Sequence, residues 1–518
     1  MFVLNVAMLL IKIKILQGRK TTPLLNNFLS NKIARFDYLR AVYMNLSLNR
    51  TKNFDTFTLT LICISACFNL RNLPLIAQYG VESMLLYPVF ALCFLIPCGF
   101  ACAELSSGWP NAGGMYVWIR NAFGYKLGFL AVWLDWIINL IWFPLMLSFM
   151  VGTLAYLVDP ALAKNKIVMC GTMLTILWTV TLINFLGINF TSRFSSMTAL
   201  FGSLIPCLLL IIIGLIYFAN HHQQAIENLA PPTQHLGIGH YSYAVGLILS
   251  FAGIEAAGLF TYSKDDLKYH YPKAIFYSIC IIISGSLLGA LAIGSVLSVK
   301  EINLVSGFIE SFQKFSEITH LAWLPTVVAV FTIIGSLSSL NTWIAGPTSS
   351  LKIVVSENDL PKILSYKNSK NAPITLLIIQ AFLSTLLISI FLLMPTVSDS
   401  YWLLTVLASQ LTLIMYVLLF ASVIWLKKSQ PSVQRLYPIP GGSAGAYVMC
   451  GIGITTCLSA IGIGFIPPEQ LGLANIKNYE YFLFGGLLFL LSPAVFFGRK
   501  INRGIDKTPI WLSLNKSK

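Results

Sequence analysis

The sequence predicts an all-α protein that crosses a membrane many times, and three observations support this. Hydrophobic residues make up 56% of the 518 residues, and charged residues only 10%. Apolar runs of about 20 residues, long enough to cross a bilayer as helices, follow one another from residue 56 almost to the C-terminus. Two of these runs are interrupted near their middle. The lipid bilayer is therefore a predicted partner, and no segment remains for a soluble catalytic domain.

Twelve apolar runs qualify as predicted membrane spans, named here span 1 to span 12. They cover residues 56–79, 83–104, 127–157, 167–187, 195–219, 242–263, 274–298, 323–346, 373–395, 401–426, 443–466 and 479–498. We divide the chain into a basic N-terminal segment (1–55), a ten-span core (56–426), a region with spans 11 and 12 (427–498) and a basic C-terminal tail (499–518).

Basic residues are distributed unevenly between the two ends of the spans. The connections after odd-numbered spans contain only Lys164, Lys166, Lys300, Lys314 and Lys477, and the other connections and both termini hold nearly all the rest. Because Lys and Arg concentrate in cytoplasmic loops, we expect both termini in the cytoplasm and the chain in the cytoplasmic (inner) membrane. The net charge of +15 thus indicates orientation, and no nucleic acid partner is predicted.

The N-terminal segment allows two interpretations. Residues 1–16 are apolar but contain Lys12 and Lys14, and no small-residue cleavage site follows. They fit neither a signal peptide nor a full span. The segment is either an amphipathic cytoplasmic stretch or the product of a start codon assigned too early, with Met44 as the true first residue.

The ten cysteines indicate neither a disulfide framework nor a metal site. All lie within predicted spans, and none forms a metal-ligand pattern with histidine. Free cysteine commonly behaves as a small buried hydrophobic residue. We therefore expect no metal and no cofactor.

The interruptions in spans 1 and 6 are the strongest functional signal. Span 1 contains the stretch 68–74 (FNLRNLP), and span 6 contains 250–255 (SFAGIE). Irregular backbone at membrane depth must line a cavity or be covered by protein, because lipid offers no hydrogen bonds. Matched interruptions in two repeated halves are typical of a transporter's substrate site. We therefore predict that the breaks bind a polar small molecule.

A helix that starts or stops inside the membrane exposes unpaired backbone groups. Free N–H groups at the start of the second half of span 1 attract a carboxylate, and free C=O groups at residues 251–254 attract an ammonium group. An amino acid carries both charges. The candidate substrate-binding residues are Cys67, Phe68, Asn69, Arg71, Asn72, Ser250, Phe251, Ala252, Gly253 and Ile254.

Arg71 lies in the break of span 1, away from every connection and tail. A charge at the bilayer centre costs about 2.5 to 3.5 kcal/mol even on the lenient insertion scale, so it usually faces a polar cavity or an acidic partner. Asp135, Glu255 and Glu82 are the candidate partners. The alternative is an arginine that pairs internally or extends outward and never meets substrate. If Arg71 reaches the cavity, we expect anionic or neutral substrates to be preferred over cationic ones.

Three polar residues are further candidates for gating or proton coupling. Glu255 follows the break in span 6, where it could bridge to span 1 or change protonation as the site opens. A neutral acid that is hydrogen-bonded for structure is the alternative. Asp135 and Asn139 are one helical turn apart in span 3, so they face the same way and border the predicted cavity.

Four motifs, taken in order, resemble those of a known family. They are residues 103–118 (AELSSGWPNAGGMYVW), 253–256 (GIEA), 343–347 (WIAGP) and 437–442 (YPIPGG). With a similarity that covers roughly residues 56–498, the chain resembles bacterial amino acid permeases of the glutamate/γ-aminobutyrate antiporter family, in the amino acid, polyamine and organocation superfamily.

The resemblance implies a five-plus-five inverted repeat, with substrate held by spans 1 and 6 and with spans 11 and 12 peripheral. It implies an amino acid exchanger or a proton-coupled permease that works by alternating access, and not an enzyme. By position, Trp343 in span 8 would close over the substrate, and Glu255 would be the carboxyl after the sixth-span break. Plain packing of Trp343 against span 1 is the alternative.

The chain departs from the family pattern at several positions. Cys67, Phe68 and Asn69 replace the glycine-rich trio of the superfamily, which counts against a backbone cradle for the carboxylate. Leu249 stands where some arginine-exchanging relatives have an aromatic gate, and Ser339 where glutamate/γ-aminobutyrate exchangers carry an acid. We therefore do not transfer glutamate specificity.

Two other functions are alternatives. Ser336, Ser338 and Ser339 could supply hydroxyl ligands for sodium, which would make the protein a sodium-coupled amino acid symporter. A membrane amino acid sensor would use the same pocket without transport. The sequence does not determine the amino acid carried, the coupling ion or the oligomeric state.

Overall fold

In the computed structural model, the chain forms a bundle of apolar helices. The structure describes residues 55–109, 114–186, 200–230, 238–255, 270–357, 364, 366, 368, 372–468 and 476–500, and these residues contain no β-strand. In chain order, the α-helices are α1 Thr56–Cys67, α2 Leu73–Ala77, α3 Ser83–Phe90, α4 Ile96–Gly108, α5 Met115–Phe123, α6 Tyr125–Val158, α7 Lys166–Asn184, α8 Ile205–Asn220, α9 His222–Leu229, α10 Ala244–Leu249, α11 Tyr271–Val296, α12 Gly307–Thr319, α13 Leu324–Glu357, α14 Ile374–Ile388, α15 Ile390–Leu393, α16 Val397–Ser429, α17 Gly442–Ile463 and α18 Ile476–Lys500.

The predicted spans agree well with these helices. Among the described residues, 10 helices are long and apolar enough to cross a membrane, or 11 if the bent pair α1 and α2 counts as one span. They correspond to every predicted span except span 6, which is described only as far as Glu255. The chain is therefore an all-α polytopic membrane protein.

Several sequence predictions concern residues outside the described ranges. They are the N-terminal segment with its Met44 alternative, the tail beyond residue 500, residues 110–113 and 256 of the family motifs, and the second half of span 6.

The break in span 1 has a clear local cause. Phe68 and Asn69 adopt extended backbone angles (φ −78°, ψ 116° and φ −137°, ψ 121°), so α1 ends at Cys67. Helical structure resumes as a 3₁₀ turn, Leu70–Asn72, and continues as α2, which has a proline in its first turn. Proline is tolerated there because no backbone hydrogen bond is lost. The two halves meet at 44°, which confirms the predicted discontinuity.

The break in span 6 follows from a glycine conformation. Helix α10 ends at Leu249, and the chain then turns through residues 250–253. Gly253 has φ +115°, a backbone region that residues with a side chain rarely adopt. The helix of span 6 therefore stops at the predicted place, and the second half of this span lies outside the described residues.

The longest helices form the centre of the bundle. Helix α6 packs against α13 and α16, and α11 packs against both halves of span 1. The spans of α6 and α16 are each 83% buried, whereas those of α17 and α18 are 28% and 22% buried. Apolar surface on α17 and α18 is thus available to lipid, while α6 and α16 supply side chains to the interior around the breaks.

Candidate substrate site at the two helix breaks

The two breaks lie against each other. A Cβ atom added to Gly253 would lie 2.8 Å from the carbonyl oxygen of Ala66, at the end of α1. The next residue, Ile254, packs against α4, where its Cδ1 would lie 3.7 Å from a Cβ added to Gly99. The structure thus brings the predicted substrate-binding stretches of spans 1 and 6 together, and glycine at position 253 permits the close approach.

Glu255 links the break of span 6 to span 10 through hydrogen bonds. Its Oε2 accepts a hydrogen bond from the backbone N–H of Gly253 (3.1 Å) and another from the hydroxyl of Tyr416 in α16 (2.6 Å). The Tyr416 hydroxyl also accepts from the Gly253 N–H, at 3.1 Å. Among the described residues, the hydrogen bonds of Glu255 go to its own break and to α16. A bridge to span 1, one of its two possible roles, stays a prediction.

We expect Tyr416→Phe to loosen this break. A hydrogen bond to a charged group contributes about 1.5 to 3 kcal/mol. The substitution removes the one from Tyr416 to Glu255, and the one that the hydroxyl accepts from the Gly253 N–H, without changing the ring. Thermal unfolding of the purified protein should show a lower midpoint than for Tyr447→Phe, a control at a ring that is 44% exposed on α17. Equal midpoints for the two variants would show that the hydroxyl contributes nothing.

Arg71 is buried, and no acidic side chain in the described ranges pairs with it. Its side chain is 4% exposed, and its Nη1 donates a long hydrogen bond of 3.5 Å to the hydroxyl of Tyr401 in α16. Its Nε has no hydrogen-bond acceptor. None of the three predicted acidic partners forms an ion pair with it in the described part of the chain. The acids lie elsewhere because helix packing places aromatic rings of α6 and α16 around the guanidinium instead.

Two tryptophans form a chain of contacts that starts at Arg71 and crosses the bundle. The guanidinium carbon lies 5.8 Å from the ring centroid of Trp142 in α6, within cation–π range. Trp142 in turn lies 6.1 Å from Trp343 of α13, and both rings are half-buried. Trp343 therefore contacts span 3 through Trp142. Its role in closing over substrate stays a prediction.

The sequence did not single out Trp142, Tyr401 or Tyr416. A signal for Trp142 existed, because it lies three residues after Asn139 and therefore on the same helix face. No comparable signal existed for the two tyrosines, whose partners are more than 160 residues away.

Asn139, Asp135 and Phe68 have different surroundings. Asn139 is buried and donates to the backbone oxygen of Asp135 (2.8 Å), so its amide is used within its own helix. The Asp135 carboxyl lies within electrostatic range of Glu255. Phe68 packs against span 7, where its Cε2 would lie 3.2 Å from a Cβ added to Gly285.

The other site residues are partly committed to local contacts. Ser250 lies 3.3 Å from the hydroxyl of Tyr87, whose ring packs against Phe251 at 4.6 Å. The Cys67 thiol is 3% exposed. Asn72 and Ala252 are half-buried at the two breaks. Among the described residues, no group of three or more His, Cys, Asp or Glu side chains could hold a metal ion.

A discontinuous span that meets the end of a second helix inside a bundle of membrane-crossing helices is typical of a polytopic membrane transporter. Residues 54–489 match the sequence profile of the amino acid permease family, and the chain belongs to that family.

Curated relatives of similar length support this membership. An uncharacterised transporter of Legionella pneumophila is 36% identical over 450 residues, which is 86% of this chain and 96% of the relative. A glutamate/γ-aminobutyrate antiporter of Lactococcus lactis is 24% identical over 446 residues, 83% of this chain and 87% of the relative. A probable agmatine/putrescine antiporter of the same species is 22% identical over 464 residues, 88% of this chain and 96% of the relative.

Proposed function

We propose that this protein is a secondary active transporter that exchanges amino acids across the cytoplasmic membrane by alternating access. The observation that carries the proposal is the contact between the two broken spans, where Gly253 meets the backbone of Ala66. Free helix-end charges of both signs are expected at such a junction. Membership of the amino acid permease family, and relatives named as antiporters, support exchange over a sodium symporter or a non-transporting sensor.

The finer architecture forms part of the same proposal. Spans 1–10 form a five-plus-five inverted repeat that transports the substrate, and spans 11 and 12 are peripheral. Both termini lie in the cytoplasm, as the distribution of Lys and Arg favours. The protein acts as a transporter and not as an enzyme.

The site residues have distinct proposed roles. Carbonyl groups at residues 251–254 receive the substrate ammonium, while the start of the second half of span 1 faces its carboxylate. Trp343 closes over the bound amino acid from span 8. Glu255 is the proposed proton-coupling group. Protonation removes the negative charge of the carboxylate that accepts hydrogen bonds from Gly253 and Tyr416, which weakens both bonds and lets the sixth-span break rearrange.

Counterflow in proteoliposomes tests the function directly. Vesicles are loaded with each of the twenty amino acids in turn, and uptake of a labelled amino acid pool is followed at pH 5.5 and 7.5 without sodium. We expect uptake only with certain internal amino acids, because exchange requires a substrate on both sides. Uptake into empty vesicles that is driven only by an acidic exterior would identify proton symport instead. Uptake that requires sodium, or binding without uptake, would contradict the proposal.

A further inference from the structure

At the start of the second half of span 1, some backbone N–H groups already donate hydrogen bonds within the protein. The side-chain oxygen of Asn69 accepts the N–H of Arg71 (3.3 Å), and the carbonyl of Asn69 accepts the N–H of Asn72 (3.0 Å). These are N–H groups that a helix start would otherwise offer to an anion. Phe68 and Asn69 also lack the positive φ that glycine permits. A carboxylate therefore finds fewer free backbone donors here than a glycine-rich loop would provide.

The side chain of Arg71, in the same break, is a strong donor. A guanidinium has five N–H donors in a planar fork that suits a carboxylate. One of them makes the long hydrogen bond to Tyr401, and the buried Nε–H has no acceptor among the residues that the structure describes. A buried charge without a counter-charge is strongly destabilising. An anion that enters the site and pairs with Arg71 removes that penalty.

The surroundings of Arg71 favour a fixed orientation of its side chain. The Tyr401 hydroxyl also donates to the backbone oxygen of Arg71, at 3.4 Å, so one side chain contacts both ends of the arginine. The Trp142 ring holds the guanidinium from α6 and contacts Trp343. Arg71 thus stands in the break of span 1, next to the aromatic pair that joins spans 3 and 8.

We propose that Arg71 is the carboxylate subsite of this transporter and replaces the backbone cradle. This inference rests on the proposed function and adds that the substrate must carry a carboxylate, which excludes amines without one, such as agmatine. The carboxylate comes from either end of the substrate, the α-carbon or the side chain. Both sources have the same chemistry, and isosteric amides separate them.

The test uses competition in the counterflow assay with four unlabelled probes. L-Glutamate has both carboxylates, L-glutamine lacks the one on the side chain, L-isoglutamine lacks the α-carboxylate, and agmatine has none. In the wild type, we expect agmatine and one of the two amides to compete at least tenfold more weakly than L-glutamate, because a charge-assisted hydrogen bond is lost. The weaker amide identifies the carboxylate that Arg71 binds.

Substitutions test whether Arg71 causes the preference for L-glutamate over the weaker amide. In Arg71→Gln, the preference for L-glutamate over the weaker amide should fall below about twofold, whereas Arg71→Lys should keep part of it. Lys428→Gln, which removes an exposed positive charge on α16, should keep the full preference.

Three results would overturn the subsite. They are an unchanged preference in Arg71→Gln, agmatine that competes as well as L-glutamate in the wild type, and a failure of every carboxylate probe to compete. The last two need no variant, so they apply even if Arg71→Gln does not fold. If the wild type exchanges amino acids, the proposed function stands even when one of these results rules out the Arg71 subsite. If the wild type exchanges no amino acid at all, both the proposed function and the subsite are overturned.

Discussion

Glu104→Gln is expected to lower the stability of the protein more than any other single substitution considered. Glu104 lies near the end of α4 and is 1% exposed. Its carboxylate accepts a hydrogen bond from Lys427 Nζ at 2.9 Å and one from the backbone N–H of Ile439 at 2.8 Å. Arg435 Nε lies 3.1 Å from the other carboxylate oxygen, an ion-pair contact without hydrogen-bond geometry.

The effect is large because one acid neutralises two cations. The side chains of Lys427 and Arg435 are each 9% exposed, and removal of one member of a buried ion pair costs about 3 to 5 kcal/mol. Whole proteins are stable by only about 5 to 15 kcal/mol. Glu104 also joins the end of span 2 to the end of span 10 and to the connection before span 11, so its loss separates three segments.

Thermal unfolding in detergent, together with the yield of monodisperse protein, measures this effect. Glu317→Gln is the matched control, because Glu317 pairs with Lys314 at 3.6 Å on the surface, where the side chains are 68% and 53% exposed. A surface pair contributes about 0 to 1 kcal/mol, so this variant should unfold near the wild-type temperature. If Glu104→Gln unfolds at that temperature as well, the buried cluster does not stabilise the fold.

Gly253→Ala is expected to abolish transport while most of the protein still folds. The added Cβ would lie 2.8 Å from the Ala66 carbonyl oxygen, and the φ of +115° is unfavourable for alanine. Strain of this kind costs about 1 to 3 kcal/mol, which the bundle can tolerate. The contact between the two broken spans cannot be kept, however, so the substrate site changes shape.

Exchange in proteoliposomes and thermal unfolding together check this prediction. Gly171→Ala in α7 is the control, since nothing lies within 4 Å of its added Cβ. Alanine in a helix interior is more stable than glycine by about 0.5 to 1 kcal/mol. We therefore expect the control to exchange at the wild-type rate and to unfold no earlier. Normal exchange by Gly253→Ala would mean that the close contact at Ala66 is not needed for transport.

Much of the fold could be predicted because it depends on properties of short segments. An apolar run of about 20 residues crosses a bilayer whatever its neighbours are. The break in span 1 follows from the stretch 68–74, and the break in span 6 from a glycine that can adopt positive φ. The structure places the discontinuity of span 1, and the end of the first helix of span 6, where the sequence predicts them.

The surroundings of the site residues could not be predicted in the same way. The sequence offered Asp135, Glu255 and Glu82 as partners of Arg71, and the structure instead supplies Tyr401 and Trp142. Which side chains meet across a bundle depends on the rotation and crossing of whole helices, and small changes in either exchange one neighbour for another.

The sequence by itself therefore determined the class of protein, the spans and the two breaks, because the bilayer constrains each segment separately. The packing of the helices was needed to show that Tyr416 binds Glu255 and that Glu104 joins Lys427 and Arg435. It also showed that Arg71 contacts Tyr401 and Trp142, and no acid among the described residues. The hydrogen bonds and ion pairs among these contacts join residues 160 or more positions apart. Their energies depend on the joint packing of several helices, which no local pattern records.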